Sequence, residues 1–247
     1  SLSLRMKVSP ADEPAGVEGA MSFMGRVWRA GGTRTRPPDR LNEELEFMPA
    51  KVETGVGEEA ATVSLSCLSK DIRQGLLIFA DVLFNPVFRA DQLTLAKARA
   101  LEGIRRKNDT PASIARRAFR DALYGPDHLY ARDLTPEKVR KIGRRHLQSL
   151  HKKVVCPDHA VLAASGDFST EALIEQLESL FRDWTRAGRV VPAYDYAVNN
   201  PWEGSLFYIE KDFNQSRVAI GHEGLTRFDP DRFAWVVGDY VLGGGGP

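Results

Sequence analysis

Five histidines are the first residues to test for chemistry in this chain: His128, His146, His151, His159 and His222. A helical zinc site needs two imidazoles one turn apart, with a carboxylate beside them to take a proton from bound water. No pair meets that need. His146 and His151 are five residues apart and do not share a helix face well. Each histidine therefore reads as a surface or packing residue. There is no Gly-x-Ser-x-Gly elbow and no Walker-type phosphate loop. The glycine run 243–246 does not follow a strand in the dinucleotide-binding pattern. Glu43, Glu44 and Glu46 lie along a polar helix face and read as solvated. Arg99, Arg105, Arg106 and Lys107, beside Asn108 and Asp109, read as a solvated face with a favourable positive helix end. His128 and Tyr130, next to a turn, remain unassigned.

Composition narrows the field further. The chain has 247 residues, 43% hydrophobic, with 34 Lys+Arg against 33 Asp+Glu and a formal net charge of +1. That length can bury a substantial core, as one large domain or one domain plus part of another. The charge balance gives no electrostatic case for nucleic acid or acidic membranes. No run approaches the roughly 18 apolar residues of a membrane span. Cys67 sits in an apolar alternating run and reads as a buried thiol, while a Cys67–Cys156 disulfide stays open. The chain opens on the strand-like "SLSLRMKV" and stops at "VLGGGGP", straight after an apolar helix. Both ends read as cut, as in a segment of a longer protein, so the missing signal peptide says little about location.

Alternation and helical periodicity give the elements. "LSLRMKV" is a half-buried strand, "ADEPAG" a turn or loop, and residues 16–29 a short helix. "PDRLNEELEFM" is amphipathic, with Leu41, Leu45 and Met48 on one stripe. "KVETGVGEEAATVSLSCL" holds two strands, the first with Val52 and Val56, the second alternating Val63, Leu65 and Cys67. Ser69 starts a helix that Asn85-Pro86 ends. Further helices follow over 90–108, over 111–124 behind Thr110 and Pro111, and from Thr135 through "RRHLQSL". "HAVLAASGD" is a strand, and "STEALIEQLESLFRDW" a helix with a Ser169 cap. Residues 186–204 read as a linker. A second unit then opens with strands "LFYIE" and "RVAIGHE" and the helix "DPDRFAWVVGDYVL". The order predicts an α+β fold, an antiparallel sheet covered by helices on one face. The first domain is placed at 1–185, the linker at 186–204, and the beginning of a second, homologous domain at 205–247.

Several ordered stretches resemble the insulinase (pitrilysin-like) zinc-peptidase family, which includes mitochondrial processing peptidase. "GVEGAMSFMGRVWRAGGTRTRPPDRLNEELEFM" is similar to its catalytic helix, its Gly-Thr-x-x-Arg turn and the helix after it. "KVETGVGEEAATVSLSCLSKDIRQGLLIFADVLFNPVF" resembles its strand pair and the helix ending in Asn-Pro-x-Phe. "IRRKNDTP" and "YGPDHLYA" resemble the segments after its third metal ligand, and "SGDFSTEALIEQLESLFRDW" the close of its first domain. "DFNQSRVAIGHEG" and "DPDRFAWVVGDYVLGGG" resemble the opening of its second domain.

Active members carry His-x-x-Glu-His on the first helix, two zinc ligands with the general base between them, and a distal Glu as third ligand. Laid on this chain, the first His falls on Gly19, the Glu on Ser22, the second His on Phe23 and the distal Glu on Gly103. Glu102 is adjacent but points roughly 100° away around the helix. Gly and Phe cannot ligate a metal, and Ser is a poor proton acceptor near neutral pH. No His precedes His128, so a small register error would not restore the site. The resemblance therefore implies a non-catalytic member with no metal of its own, the zinc sitting in a partner. It implies peptide or unfolded polypeptide as ligand, and a homologous zinc-bearing subunit or a second copy as partner. It implies strand addition at Lys51–Val56, with Val52, Glu53, Thr54 and Gly55 as substrate residues. A structural assembly subunit, like the core subunits of respiratory complexes that resemble this family, is the alternative. Relatives suggest a bacterial periplasm, which no residue fixes.

Overall fold

The computed structural model describes residues 1–126, 128–198 and 204–244. They form two compact units, one from Ser1–Arg106 with Asp133–Tyr196, the other from Lys107–Arg132 with the described part of Ala197–Pro247. The first unit holds strands β1 (Leu2–Lys7), β2 (Lys51–Val56), β3 (Ala60–Ser66) and β4 (Ala160–Ala164). Its helices are α1 (Ala20–Ala30), α2 (Pro38–Phe47), α3 (Ile72–Phe84) and α4 (Ala90–Arg105), then α6 (Pro136–Lys141), α7 (Arg144–Val154) and α8 (Thr170–Phe181). The second unit holds α5 (Pro111–Tyr124) and α9 (Arg232–Asp239).

The sheet is antiparallel throughout, in the order β2-β3-β1-β4. Alternation fixes its register. Leu2, Leu4 and Met6 of β1 and Ala61, Val63 and Leu65 of β3 are buried on one face, where α1 and α3 pack. Arg5 and Lys7 are exposed on the other. A slip of one residue would turn every apolar side chain out to water, at about 2 kcal/mol for each large one. The expected α+β architecture, with helices on one face, is what the molecule has.

Several local expectations need correcting. The first helix starts at Ala20, because residues 16–19 form turns and Gly19 adopts φ 99°. A short 3-10 turn at Pro10–Asp12, held by a Ser9/Asp12 capping box, runs into the start of "ADEPAG". The helix after Thr135 is two helices. Ile142 (φ −61°, ψ 121°) and Gly143 are extended between them, which buries Ile142, and His146 Nδ1 accepts from Gly143 N to start α7. Glu44 is not merely solvated; it bridges Arg36 and Arg40 at 2.8 Å each. Cys67 is half-buried and Cys156 buried, and both are free thiols.

In the second unit the strands expected at 206–210 and 217–223 do not form. Leu206, Tyr208, Val218 and Ile220 are exposed, and no neighbouring strand among the described residues completes a ladder. An alternating pattern specifies a strand only where a partner takes up its backbone groups. The helix expected after Asp229 is α9, followed by a π turn over Tyr240–Gly244. Gly245 and Gly246 of the glycine run, and residues 199–203 of the expected linker, lie outside the described residues.

Candidate functional site

α1 occupies the place where the resemblance puts a metal. Its eleven residues, AMSFMGRVWRA, contain no imidazole, carboxylate or thiol. Gly19 is its N-cap, and a Cβ there would lie 2.9 Å from Leu134 Cδ1. A histidine at 19 would meet both that methyl and a left-handed backbone that side chains rarely adopt. Phe23 is buried in the core, while Ser22 is exposed on a different face of the helix. Gly103 is exposed near the end of α4. The four motif positions thus present no common donor set, whatever the register. Among the described residues, no three His, Cys, Asp or Glu side chains group closely enough to hold a metal ion.

The free amides at the start of α1 are met by Glu13. Its carboxylate accepts from Gly19 N at 2.9 Å and Met21 N at 2.7 Å, and the helix dipole favours the charge there. Nearby, Glu18 accepts from Gly16 N and pairs with Lys138. The Gly16 amide is the main reason its carboxyl is held down at about 2, with Lys138 adding to it against the effect of burial. No local signal marks the Glu13 cap, which lies in a stretch read as a turn or loop.

Beyond α1, the turn at 31–36 is locked to α3. Asp81 is 8% exposed and accepts from Thr33, Thr35, Arg36 and Asn85. Burial alone would raise its carboxyl, but these donors outweigh burial and hold it below the usual range. Trp28 Nε1 donates to Val82 O at 2.8 Å. His151 lies edge-on to Trp28, ring centroids 4.9 Å apart, and its Nε2 lies 2.9 Å from Leu83 O. The carbonyl can only accept, so Nε2 carries the proton. Burial pushes this imidazole down to about 4, against the contrary pull of the Leu83 carbonyl. His151 is thus a packing residue of the core.

β2 is an edge strand of the sheet, paired with β3. The hairpin bond Gly57 N to Ala60 O, 2.9 Å, sets the phase of the ladder. The pairs Gly55–Thr62, Glu53–Ser64 and Lys51–Ser66 follow as the closely bonded ones. The amides and carbonyls of Val52, Thr54 and Val56 therefore point away from β3, while those of Glu53 and Gly55 bond inward. α1 lies against this strand. Thr54 Oγ1 donates to Gly25 O and accepts from Arg29 N, and a Cβ on Gly25 would sit 2.7 Å from Val56 N.

Comparison with known proteins bears on the family and the fold. The family model described as insulinase (peptidase family M16) matches residues 4–136, and the one described as peptidase M16 inactive domain matches residues 141–247. The chain belongs to the insulinase family. An uncharacterized zinc protease of Mycobacterium tuberculosis is 26% identical over 251 residues, covering 99% of this chain and 56% of that protein. One from Rickettsia bellii is 22% identical over 249 residues, covering 100% and 58%. The chain therefore spans a little over half the length of these curated relatives. Among solved structures, a peptidase M16 inactive domain from Pseudomonas fluorescens has the same fold, with TM-score 0.71 and 23% identity, covering 99% of this chain and 60% of that one. Tested against the zinc its family name implies, this member of the insulinase family does not fit. α1 has no donor atom for the ion and no base for its water.

Proposed function

We propose that this insulinase-family chain is a non-catalytic component that holds an extended peptide or unfolded polypeptide beside a homologous zinc-bearing subunit. The observation that carries the reading is α1, whose positions for metal and base hold Gly19, Ser22 and Phe23. Gly103 stands at the position of the distal ligand. The peptide adds as a strand along β2, bonding to the outward backbone groups of Thr54 and Val56, while Val52, fully buried, anchors the strand to the core. Glu53 and Gly55 keep the strand in register through β3. This mode makes little demand on sequence, because backbone meets backbone. Enclosure and orientation are then the contribution to proteolysis, since holding a segment extended raises its effective concentration at the partner's metal.

The test uses the whole protein, purified without added metal. Elemental analysis is expected to find substoichiometric zinc, and unfolded casein to remain uncut until a homologue retaining His-x-x-Glu-His is added. One equivalent of zinc, with peptidase activity of the isolated protein that a chelator abolishes, would overturn the reading.

A further inference from the structure

We infer that the face of α1 beside β2 selects for acidic segments, through Arg26 and Arg29. This rests on the reading of β2 as a peptide-binding edge and names the class of peptide it takes. Both arginines lie on the stretch of α1 that touches β2, since Gly25 O and Arg29 N share the Thr54 hydroxyl. Arg26 is exposed, and among the described residues it has no hydrogen bond and no carboxylate within 4.0 Å. Arg29 is half-buried. Its Nη2 donates to Asn42 Oδ1 at 2.9 Å, while its Nε is buried without a hydrogen-bond acceptor. That Nε is closed off from solvent, so the acceptor these guanidinium groups call for is a carboxylate that reaches the exposed Arg26 and the Nη side of Arg29. The nearby carboxylates do not supply it. Glu43 and Glu46, exposed on α2, reach neither guanidinium. Glu53 is exposed on the opposite face of the sheet from the one α1 covers.

The spacing suits a strand. Arg26 and Arg29 are three residues apart, a rise of about 4.5 Å along the helix. Alternate side chains of an extended peptide lie about 6.8 Å apart on the face turned to that helix. Two long arginine side chains span the difference, so carboxylates at i and i+2 are each within reach. Guanidinium groups recognise a carboxylate without cleaving the chain that carries it.

The experiment measures binding of fluorescent decapeptides to the whole protein by anisotropy. One carries Glu at alternate positions, a second has Gln there, a third Lys, and a fourth is the Glu peptide with N-methylated backbone amides. The Glu peptide is expected to bind about two- to fivefold tighter per carboxylate than the Gln peptide at low salt. That margin should shrink as salt is raised. Arg26→Glu, an exposed change that leaves the fold intact, should abolish the margin and favour the Lys peptide. Equal binding of Glu and Gln peptides, both lost on N-methylation, would overturn the charge selection while leaving the edge in place. Binding of no peptide, or binding indifferent to N-methylation, would overturn the edge and the selection together.

Discussion

Protonating His151 is expected to destabilise the first unit in a defined pH window. The ring sits between Trp28 and Phe88 and donates Nε2–H to Leu83 O. A second proton, on Nδ1, would place charge in that apolar surround. The folded imidazole titrates at about 4 instead of 6.5. Between those values the unfolded chain takes up a proton here and the folded chain does not. Stability from this residue is therefore complete above pH 6.5. It falls by about 1.4 kcal/mol for each unit below that and is reduced by about 3 kcal/mol near pH 4. Urea unfolding followed by far-ultraviolet circular dichroism, from pH 7 to 4.5, reads this slope. His151→Gln keeps a donor for Leu83 but cannot titrate, so its curve should be flatter than the parent's across the window. Parallel curves for the two proteins, or an NMR titration placing the His151 imidazole at 6 or above, would refute the reasoning.

Other perturbations follow from the same packing. Gly25→Ala places a methyl carbon 2.7 Å from Val56 N and 3.2 Å from Gly55 C, forcing α1 off β2. A loss of roughly 1–3 kcal/mol in urea unfolding is expected, and an unchanged midpoint would contradict the close approach. Asp81→Ala leaves Arg36, Thr33 and Thr35 without their shared acceptor and should cost about 3 kcal/mol, read as a lowered thermal midpoint. Without reductant, thiol titration should find two reactive groups in denaturant, with Cys156 much slower than Cys67 in the native state, because both are free and Cys156 is the more buried.

The elements that the sequence made plain are those whose signals are local. The Ser169 and Thr110 caps, the Pro136 start, the alternation of β1 and β3 and the stripe of Leu41, Leu45 and Met48 all stand where expected. Each depends on neighbours a few residues away, so the chain carries the information in one place. The lack of metal donors on the first helix is equally a property of composition, and no folding could supply them. The broken helix at Ile142, by contrast, was invisible, because what favours the break is the burial of one side chain in a distant core.

Sequence alone determined the α+β pattern, the family and the absence of any donor set on α1. Only the tertiary structure decided that Glu13 caps that helix, that Asp81 gathers four donors, that Cys67 and Cys156 stay apart, and that β2 is an edge strand with α1 against it. The physical reason is range. Helix and strand preferences are set by neighbours along the chain, whereas a cap eight residues away or a carboxylate 48 residues from its donor exists only once packing has closed the intervening loop. The strands expected at 206–210 and 217–223 make the same point from the other side: alternation without a partner strand left the backbone unladdered.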